Sequence, residues 1–215
     1  MPIITISKRI YDRGDEIADK VGRELGYQNI GREVFAAASK EFAIPEDKLF
    51  AAVHDAPSLL GMSSVHRKRY ISYAQAALAA YMLQDDVVYH GPAGHLLVQG
   101  VSHVLRVRVL ANLEDRIALM MKREKTSEKE ARKHILHDDE QRKKWVKLFY
   151  GKDDTDPHIY DLMIHVGQVP LDHAVNIIVG TAKLRKFQPM TYSLKLMKNL
   201  ELKYRIKAHL VDLDA

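Results

Sequence analysis

A basic turn follows the first apolar run of the chain and leads into a helical pattern. The run PIITI is followed by SKRIYDRGDEIADKVG at residues 7–22. A turn between a strand and a helix can bind a phosphate when backbone N–H groups at the helix N-terminus point inward at it. Such a turn needs glycines for close approach, a cation for the phosphates and a hydroxyl for magnesium. The chemistry that this turn could perform is therefore phosphate binding.

The same turn contains carboxylates that oppose an incoming phosphate. Gly14 is its only glycine, and Asp12 and Asp15 have the spacing of a capping pair. The helix that begins near Arg13 could therefore satisfy its free N–H groups with its own side chains. A carboxylate about 4 Å from a phosphate costs on the order of 4 kcal/mol at an effective dielectric of 20, or roughly a thousandfold in affinity. We expect a self-capped helix, although Lys8 and Arg9 could offset part of the repulsion.

Two further groups of residues could bind ligands. Arg67 and Arg69 lie near the start of a long helical pattern. Cations in the first turn of a helix interact unfavourably with the helix dipole, so these two could need an anionic partner such as the phosphate of an acceptor. His134, His137 and Asp138 have a spacing that permits a divalent metal. One helix offers too few ligands, however, so we predict no metal site.

Composition narrows the class of protein. The chain has 215 residues, a formal net charge of +5 and no cysteine. The length is enough for one α/β domain with a proper core. The absence of cysteine excludes disulfides and thiolate chemistry and fits a reducing compartment, so we expect the cytoplasm. No apolar run is long enough to span a bilayer, and we expect no membrane insertion.

The elements that must position these residues alternate along the chain. Short β-branched runs occur at Ile3 to Ile6, Val87 to Tyr89, Val104 to Leu110 and Leu162 to Val166, with helical patterns between them. This alternation predicts a parallel sheet wrapped by helices. The eighty residues between the first two strands exceed a single crossover, which predicts an inserted helical region.

Three segments resemble the cytidylate kinase-like family of P-loop nucleotide kinases. They are ITISKRIYDRGDEIADKVGRELGY, VVYHGPAGHLLVQGVSHVLRVRVLANLEDRIALMMKRE and DDEQRKKWVKLFYGKDDTDPHIYDLMIHV, and the similarity covers Pro2 to about Lys183. The resemblance implies a three-layer P-loop kinase-like α/β fold for residues 1–183. It implies an inserted helical acceptor region at about 28–84 and a helical lid at about 124–150. The acceptor would be a nucleoside monophosphate similar to CMP, and an active enzyme would use ATP and Mg²⁺.

The resemblance also implies roles for individual residues. ATP would bind at the turn, and the lid would supply the groups that clamp the phosphates bidentately. The acceptor would lie under the inserted helices and beside the turn after the second predicted strand. For each arginine of the lid, namely Arg116, Arg123 and Arg142, an ion pair on the surface is the alternative role. The implied ATP-binding residues are Ser7, Lys8, Arg9, Arg13 and Gly14; the catalytic residues are Arg116, Arg123, Asp139 and Arg142; the acceptor-binding residues are Arg32, Arg67, Arg69, Gly91, Gly94 and His95.

The chain departs from the family at the turn. The family's turn is similar to SRQYGSGGREIA, which Ser7 and Gly14 match, whereas Tyr11 and Arg13 replace glycines and Asp12 replaces a serine. After the second predicted strand, Pro92 follows Gly91 where the family has an arginine. Both changes put efficient phosphate transfer in doubt, since one lost transition-state contact typically costs several kcal/mol.

The last segment is basic. Residues 184–215 predict a linker and a basic amphipathic helix, and the part from about Tyr192 resembles the start of a BON-type domain. That resemblance implies that the chain continues into a C-terminal module. The positive charge of this segment favours an anionic partner.

Two functions remain open at this point. The first is a nucleotide kinase whose activity the degenerate turn impairs or specialises. The second is a non-catalytic regulatory module that binds a nucleotide or another anion with a kinase fold. Nucleic-acid binding rests on charge alone and is not expected, because the basic segments lack interleaved aromatic residues. A homo-oligomer is a further open expectation.

Overall fold

The computed structural model describes residues 2–54 and 62–211. Within that part of the chain, the helices and strands alternate as the apolar runs predict. The strands are β1 (Ile3–Ser7), β2 (Gln28–Ile30), β3 (Val87–Tyr89), β4 (Val104–Ala111) and β5 (Leu162–Val166). The helices are α1 (Gly14–Leu25), α2 (Glu33–Phe42), α3 (Glu46–His54), α4 (Ser64–Met82), α5 (Gly94–Leu97), α6 (Leu113–Glu124), α7 (Glu128–Tyr150), α8 (Leu171–Ala182) and α9 (Thr191–Leu210).

The five strands form one parallel sheet in the order β2-β3-β1-β4-β5. β1 is central and entirely buried, with Ser7 opposite Arg108 of β4. In a parallel sheet all strands end at the same edge, so the turn after β1 lies beside the ends of β3 and β4. The predicted α/β fold class is confirmed. β2 was not predicted.

Helices cover both faces of the sheet, as a parallel sheet requires. On one face, residues of α1 and α8 pack against Ile4, Ile6 and Val107. On the other face, the core joins α2, α3 and α4 to the end of α7 and to α9 through Trp145 and Met197. The inserted helices therefore share one core with the sheet and the tail helix. Residues 55–61 of the insert and 212–215 of the tail lie outside the described residues.

Local signals divide the segment after β4 into two helices. Ser127 and Glu130 form a capping box in which each side chain bonds the other residue's backbone N–H. Gly151 ends α7 in a left-handed conformation. As a result, α7 is an uninterrupted helix of 23 residues that runs back over the turn after β1. Among the described helices, none is both long and apolar enough to span a bilayer.

Candidate functional site

The turn after β1 is closed by its own carboxylate. Asp12 Oδ1 accepts the N–H of Gly14 at 2.8 Å, and Oδ2 accepts the N–H of Arg9 at 2.5 Å. The Asp12 side chain is only 2% exposed. Burial raises the pKa of Asp12, while these two N–H bonds and the nearby Lys8 and Arg108 act in the opposite direction. The first free N–H of α1 and a second N–H of the turn are therefore already satisfied.

Asp15 does not take part in this capping, contrary to the expectation of a pair. Its carboxylate contacts Lys8 Nζ at 2.8 Å and His90 Nδ1 at 2.9 Å. Although burial opposes the effect, the bond from His90 and the charge of Lys8 lower the pKa of Asp15 to about 2. Arg13, at the N-cap position, makes no side-chain capping bond and pairs with Glu16 on the surface.

The backbone of the turn follows a path that suits glycine. Tyr11 and Arg13 have φ values of 59° and 64°, in the left-handed region. These are two of the three positions at which the resembling family has glycine, and the third is Gly14. Gly14 remains because a Cβ there would lie 2.6 Å from the Cβ of Lys8. The turn thus keeps the course of a glycine-rich loop while it carries large side chains.

A basic cavity, which we call the insert pocket, lies between this turn, the inserted helices and α7. Its volume is about 520 Å³. Lys8, Arg9, Arg32 and Arg142 line it, together with two carboxylates and an aromatic wall. Among the described residues, Arg32 and Arg142 have no carboxylate oxygen within 4 Å, and both were predicted from the sequence to meet a phosphorylated ligand. The complete lining is Lys8, Arg9, Ile10, Asp15, Gly31, Arg32, Phe35, Phe50, His54, His90, Gly91, Pro92, Asp138 and Arg142.

The aromatic wall of the insert pocket holds a neutral histidine. The rings of Phe50 and His54 stack at 3.7 Å between centroids, and the Arg32 guanidinium lies 4.7 Å from the Phe50 centroid. Burial, followed by the charge of Arg142, lowers the pKa of His54 to about 3. Burial also lowers the pKa of Arg142. A flat ring could stack on this wall while an anionic group meets the two arginines.

A second cavity of about 370 Å³, the lid pocket, lies between the turn, the end of β4 and α7. Three of its cations, Arg9, Arg108 and Arg116, have internal partners, whereas Lys143 is exposed. Arg116 binds Asp139 through both terminal nitrogens at 2.7 and 2.8 Å and donates Nε–H to the carbonyl of Ile10 at 2.9 Å. Arg9 contacts Asp154 at 2.6 Å and Asp139 at 3.7 Å. These bonds hold α7 and α6 to the turn.

Other predicted site residues lie elsewhere. Arg123 pairs with Glu16 at 2.9 Å on the surface and lines neither the insert pocket nor the lid pocket. Arg67 is buried and bonds the carbonyls of Ala51 and Ala52 near the end of α3. Arg69 Nε donates to the hydroxyl of Tyr73 one turn on. Their predicted ligand contacts stay predictions.

Gly91 and Gly94 lie against the side chain of Tyr89, whereas His95 lies beside Tyr160. A Cβ at Gly91 would lie 2.1 Å from the Tyr89 hydroxyl oxygen and a Cβ at Gly94 would lie 2.3 Å from a Tyr89 ring carbon, so both positions require glycine for packing. His95 is 2% exposed and lies 4.7 Å from the Tyr160 ring, between centroids. Burial, followed by the charge of Arg108, lowers the pKa of His95 to about 3. Gly91 lines the insert pocket, whereas Gly94 and His95 do not.

Sequence reasoning did not single out Arg108 as a residue of the turn. Its Nη1 donates to Ser7 Oγ at 2.8 Å, and its side chain is 3% exposed. Asp154 and Tyr160 complete this buried cluster, since the hydroxyl of Tyr160 donates to the Asp154 carbonyl at 2.9 Å. The signal was present in the sequence, because an arginine within the apolar run of β4 needs a buried partner.

Comparison with known proteins identifies the family. Residues 3–168 match the cytidylate kinase-like family. The chain belongs to that family. The match covers the sheet, the inserted helices and α7, and thus the whole of both pockets. It confirms the resemblance and the kinase-like fold.

Solved structures support the same fold. An uncharacterized protein from Eubacterium ventriosum ATCC 27560 has a TM-score of 0.63 and 16% identity, over 84% of this chain and 97% of that chain. Shikimate kinase from Bacteroides thetaiotaomicron has a TM-score of 0.51 and 10% identity, over 85% and 99% of the two chains. At such identities the likeness shows the fold alone. No curated protein matches the chain.

The cytidylate kinase-like family implies ATP and Mg²⁺, and the turn of this chain does not fit them. Two of the N–H groups that would face a phosphate are bonded to Asp12 instead. Asp15 stands where a cation or hydroxyl would be needed, and Arg116 is neutralised by Asp139. By contrast, Arg32 and Arg142 remain available to an anion in the insert pocket.

Proposed function

We propose that this member of the cytidylate kinase-like family is a binding module that holds a phosphorylated small molecule in the insert pocket without using ATP. The proposal rests on one observation: the amides of the turn have an internal partner, whereas two arginines of the insert pocket have no carboxylate partner in the part of the chain that the structure describes. The Asp12 carboxylate occupies the amides of the turn, whereas Arg32 and Arg142 face the cavity with no carboxylate within 4 Å among the described residues. The ligand class that we favour is a nucleoside monophosphate similar to CMP.

The aromatic wall and the two arginines would contact different parts of the ligand. His54, stacked on Phe50, offers a flat ring to a base, and the arginines offer donors to a phosphate. His54 stays neutral near pH 7 because its pKa is about 3, so it serves as a hydrogen-bonding group without adding charge. A dianionic phosphate matches the charge of the two arginines.

Calorimetry with CMP and with MgATP tests the proposal. We expect CMP to bind the wild-type protein on the order of 10 µM, and Arg142→Gln to weaken it at least tenfold, or about 1.4 kcal/mol. The matched control is Arg123→Gln, which removes an arginine outside the pocket and should leave CMP affinity unchanged. Micromolar binding of MgATP, with release of ADP in the presence of CMP, would contradict the proposal.

A slow ATP-dependent CMP kinase is the second candidate. The observation in its favour is that Arg116 and Arg142 approach the turn from α6 and α7, at positions where the family places its lid residues. For this candidate the degenerate turn limits the rate. If self-capping is the obstacle, Asp12→Ser combined with Arg13→Gly should raise MgATP affinity at least tenfold, since removal of a carboxylate about 4 Å away removes several kcal/mol of repulsion.

The remaining expectations belong to the same proposal. We place the protein in the cytoplasm, with a small-molecule nucleotide as its ligand and no nucleic acid as partner. Sedimentation at several protein concentrations would test whether it forms a homo-oligomer. The proposed domain division, with residues 1–183 as the kinase-like unit, would be tested by expressing that unit alone.

A further inference from the structure

The tail helix α9 has apolar residues on two opposite faces. Its inner face packs against α4, and Met197 and Ala208 are almost fully buried there. Its outer face carries Leu202, Ile206 and Leu210, which are 51%, 49% and 52% exposed. These three residues follow the spacing i, i+4, i+8 and therefore form one ridge along the helix. We call them the outer ridge.

Cations flank the outer ridge. Lys195, Lys198 and Lys203 are exposed, and no carboxylate oxygen lies within 4 Å of them in the part of the chain that the structure describes. The only acidic residue of α9 is Glu201, which is 5% exposed on the inner face and is bonded to Arg205. The outer face of α9 is consequently apolar along its centre and basic along its edges.

The geometry of the ridge favours a helix as its partner. A ridge of residues four apart fits the groove between the corresponding ridges of a second helix. From Leu202 to Leu210 the ridge is about 12 Å long, at 1.5 Å per residue, which matches about two turns of a partner helix. A second copy of α9 fits poorly, because it would bring its lysines against these lysines. A lipid surface also fits poorly, since a ridge one residue wide inserts little apolar area.

We propose that the outer ridge of α9 docks an acidic amphipathic helix of another protein. Leucine-type residues of that helix would cover Leu202, Ile206 and Leu210, and its flanking carboxylates would pair with Lys198 and Lys203. The apolar contact supplies affinity and the charges select the partner. The proposal does not depend on the ligand of the insert pocket.

A pair of synthetic helical peptides tests it. Both carry leucines at coiled-coil spacing; one has Glu at every flanking position and the other has Lys. We expect the acidic peptide to bind the full chain on the order of 10–100 µM by fluorescence anisotropy, and the basic peptide at least tenfold more weakly. The double variant Leu202→Ser with Ile206→Ser should lose at least tenfold in affinity for the acidic peptide.

Charge reversal gives the decisive comparison. Lys198→Glu with Lys203→Glu should invert the preference between the two peptides. The matched control, Lys129→Glu with Lys152→Glu, makes the same change in net charge at exposed positions outside α9 and should keep the preference for the acidic peptide. All four residues are exposed, and circular dichroism would verify that the variants fold.

Three results would overturn the proposal. The first is equal binding of the two peptides. The second is binding of vesicles that contain anionic lipid, with no binding of the acidic peptide, which would assign the surface to a membrane. The third is a dimer in sedimentation that Leu202→Ser with Ile206→Ser dissociates, which would assign the ridge to a second copy of this chain.

Discussion

Asp12 binds two backbone N–H groups of the turn with one carboxylate. Because Arg9 and Gly14 both donate to it, the side chain joins the start of the turn to the start of α1. A phosphate in a P-loop makes the same kind of contact with successive main-chain amides. The difference is that Asp12 is covalently attached, so its local concentration is fixed and an external phosphate must displace it.

His95 should control part of the pH dependence of stability. Its pKa is about 3 in the folded protein because burial disfavours the charged ring, whereas in the unfolded chain it is about 6.5. Below pH 6.5 the unfolded state therefore binds a proton that the folded state does not, and the free energy of unfolding falls as the pH falls. Between pH 7 and pH 5 this one residue should account for a loss of about 2 kcal/mol.

Urea unfolding of His95→Phe measures this effect. The variant keeps a ring beside Tyr160 and removes the titrating group, so its stability should fall by about 2 kcal/mol less than that of the wild type between pH 7 and pH 5. His137→Phe is the control, because His137 is exposed on α7 and its variant should keep the wild-type slope. Parallel stability curves for wild type and His95→Phe would contradict the buried, neutral state of His95.

At the scale of elements, one ion pair fixes α7 against α6 and the turn. Asp139 of α7 binds Arg116 of α6 with two hydrogen bonds, and Arg116 in turn bonds the carbonyl of Ile10. α7 is thus held in place by residues of the chain itself. The consequence is that the insert pocket, one wall of which is α7, is formed before any ligand binds.

Asp139→Asn should loosen this arrangement. The amide offers one acceptor in place of two, and the Arg116 side chain, 7% exposed, loses its counter-charge. We expect the free energy of unfolding to fall by about 1–3 kcal/mol and the amides of α7 to exchange hydrogen faster. Glu140→Gln removes the exposed pair with Lys144 on the same helix and should cost less than about 0.5 kcal/mol. Equal losses in the two variants would contradict the special role of Asp139.

At the scale of the whole molecule, the inserted helices, α7 and α9 share one hydrophobic core with the sheet. Trp145, the only tryptophan, lies in that core and donates its indole N–H to the carbonyl of Ala52 in α3 at 3.0 Å. Burial of this kind couples the stability of the insert to that of the remaining core, because neither side keeps its apolar contacts alone.

Unfolding should therefore be cooperative across the molecule. We expect the denaturant midpoint from Trp145 fluorescence to coincide with the midpoint from far-ultraviolet circular dichroism. Trp145 fluorescence reports the contact between α3 and α7, and circular dichroism reports all helices. A fluorescence midpoint at lower denaturant would show instead that the insert and α7 separate before the sheet unfolds.

The sheet order depends on pairings that local patterns reveal only in part. Four strands are apolar runs bounded by turn residues, and their alternation with helices predicted the fold class. β2 has three residues, of which only Ile30 is buried, and only its pairing with β3 defines it as a strand. A short polar edge strand gives no periodic signal, because its partner and not its sequence determines it.

The sequence predicted which segment carries each basic residue, but not which way its side chain points. Arg32, directly before α2, and Arg142, on α7, line the insert pocket, and their predicted contacts with a ligand stay predictions. Arg67 lies on a helix of the same insert, yet its side chain is buried against carbonyls of α3. Which face of a helix becomes buried depends on tertiary packing, and nearby basic residues on one helix can face different surroundings.

The left-handed backbone at Tyr11 and Arg13 bears on how this chain could change over evolutionary time. Each such residue costs about 1–2 kcal/mol relative to glycine, so the surrounding contacts impose the course of the turn. Glycine at either position would relieve this strain, at the loss of the Tyr11–Glu124 hydrogen bond or the Arg13–Glu16 ion pair. The backbone course of the turn is therefore no obstacle to a phosphate-binding loop, and the Asp12 carboxylate is the group that such a change would still have to remove.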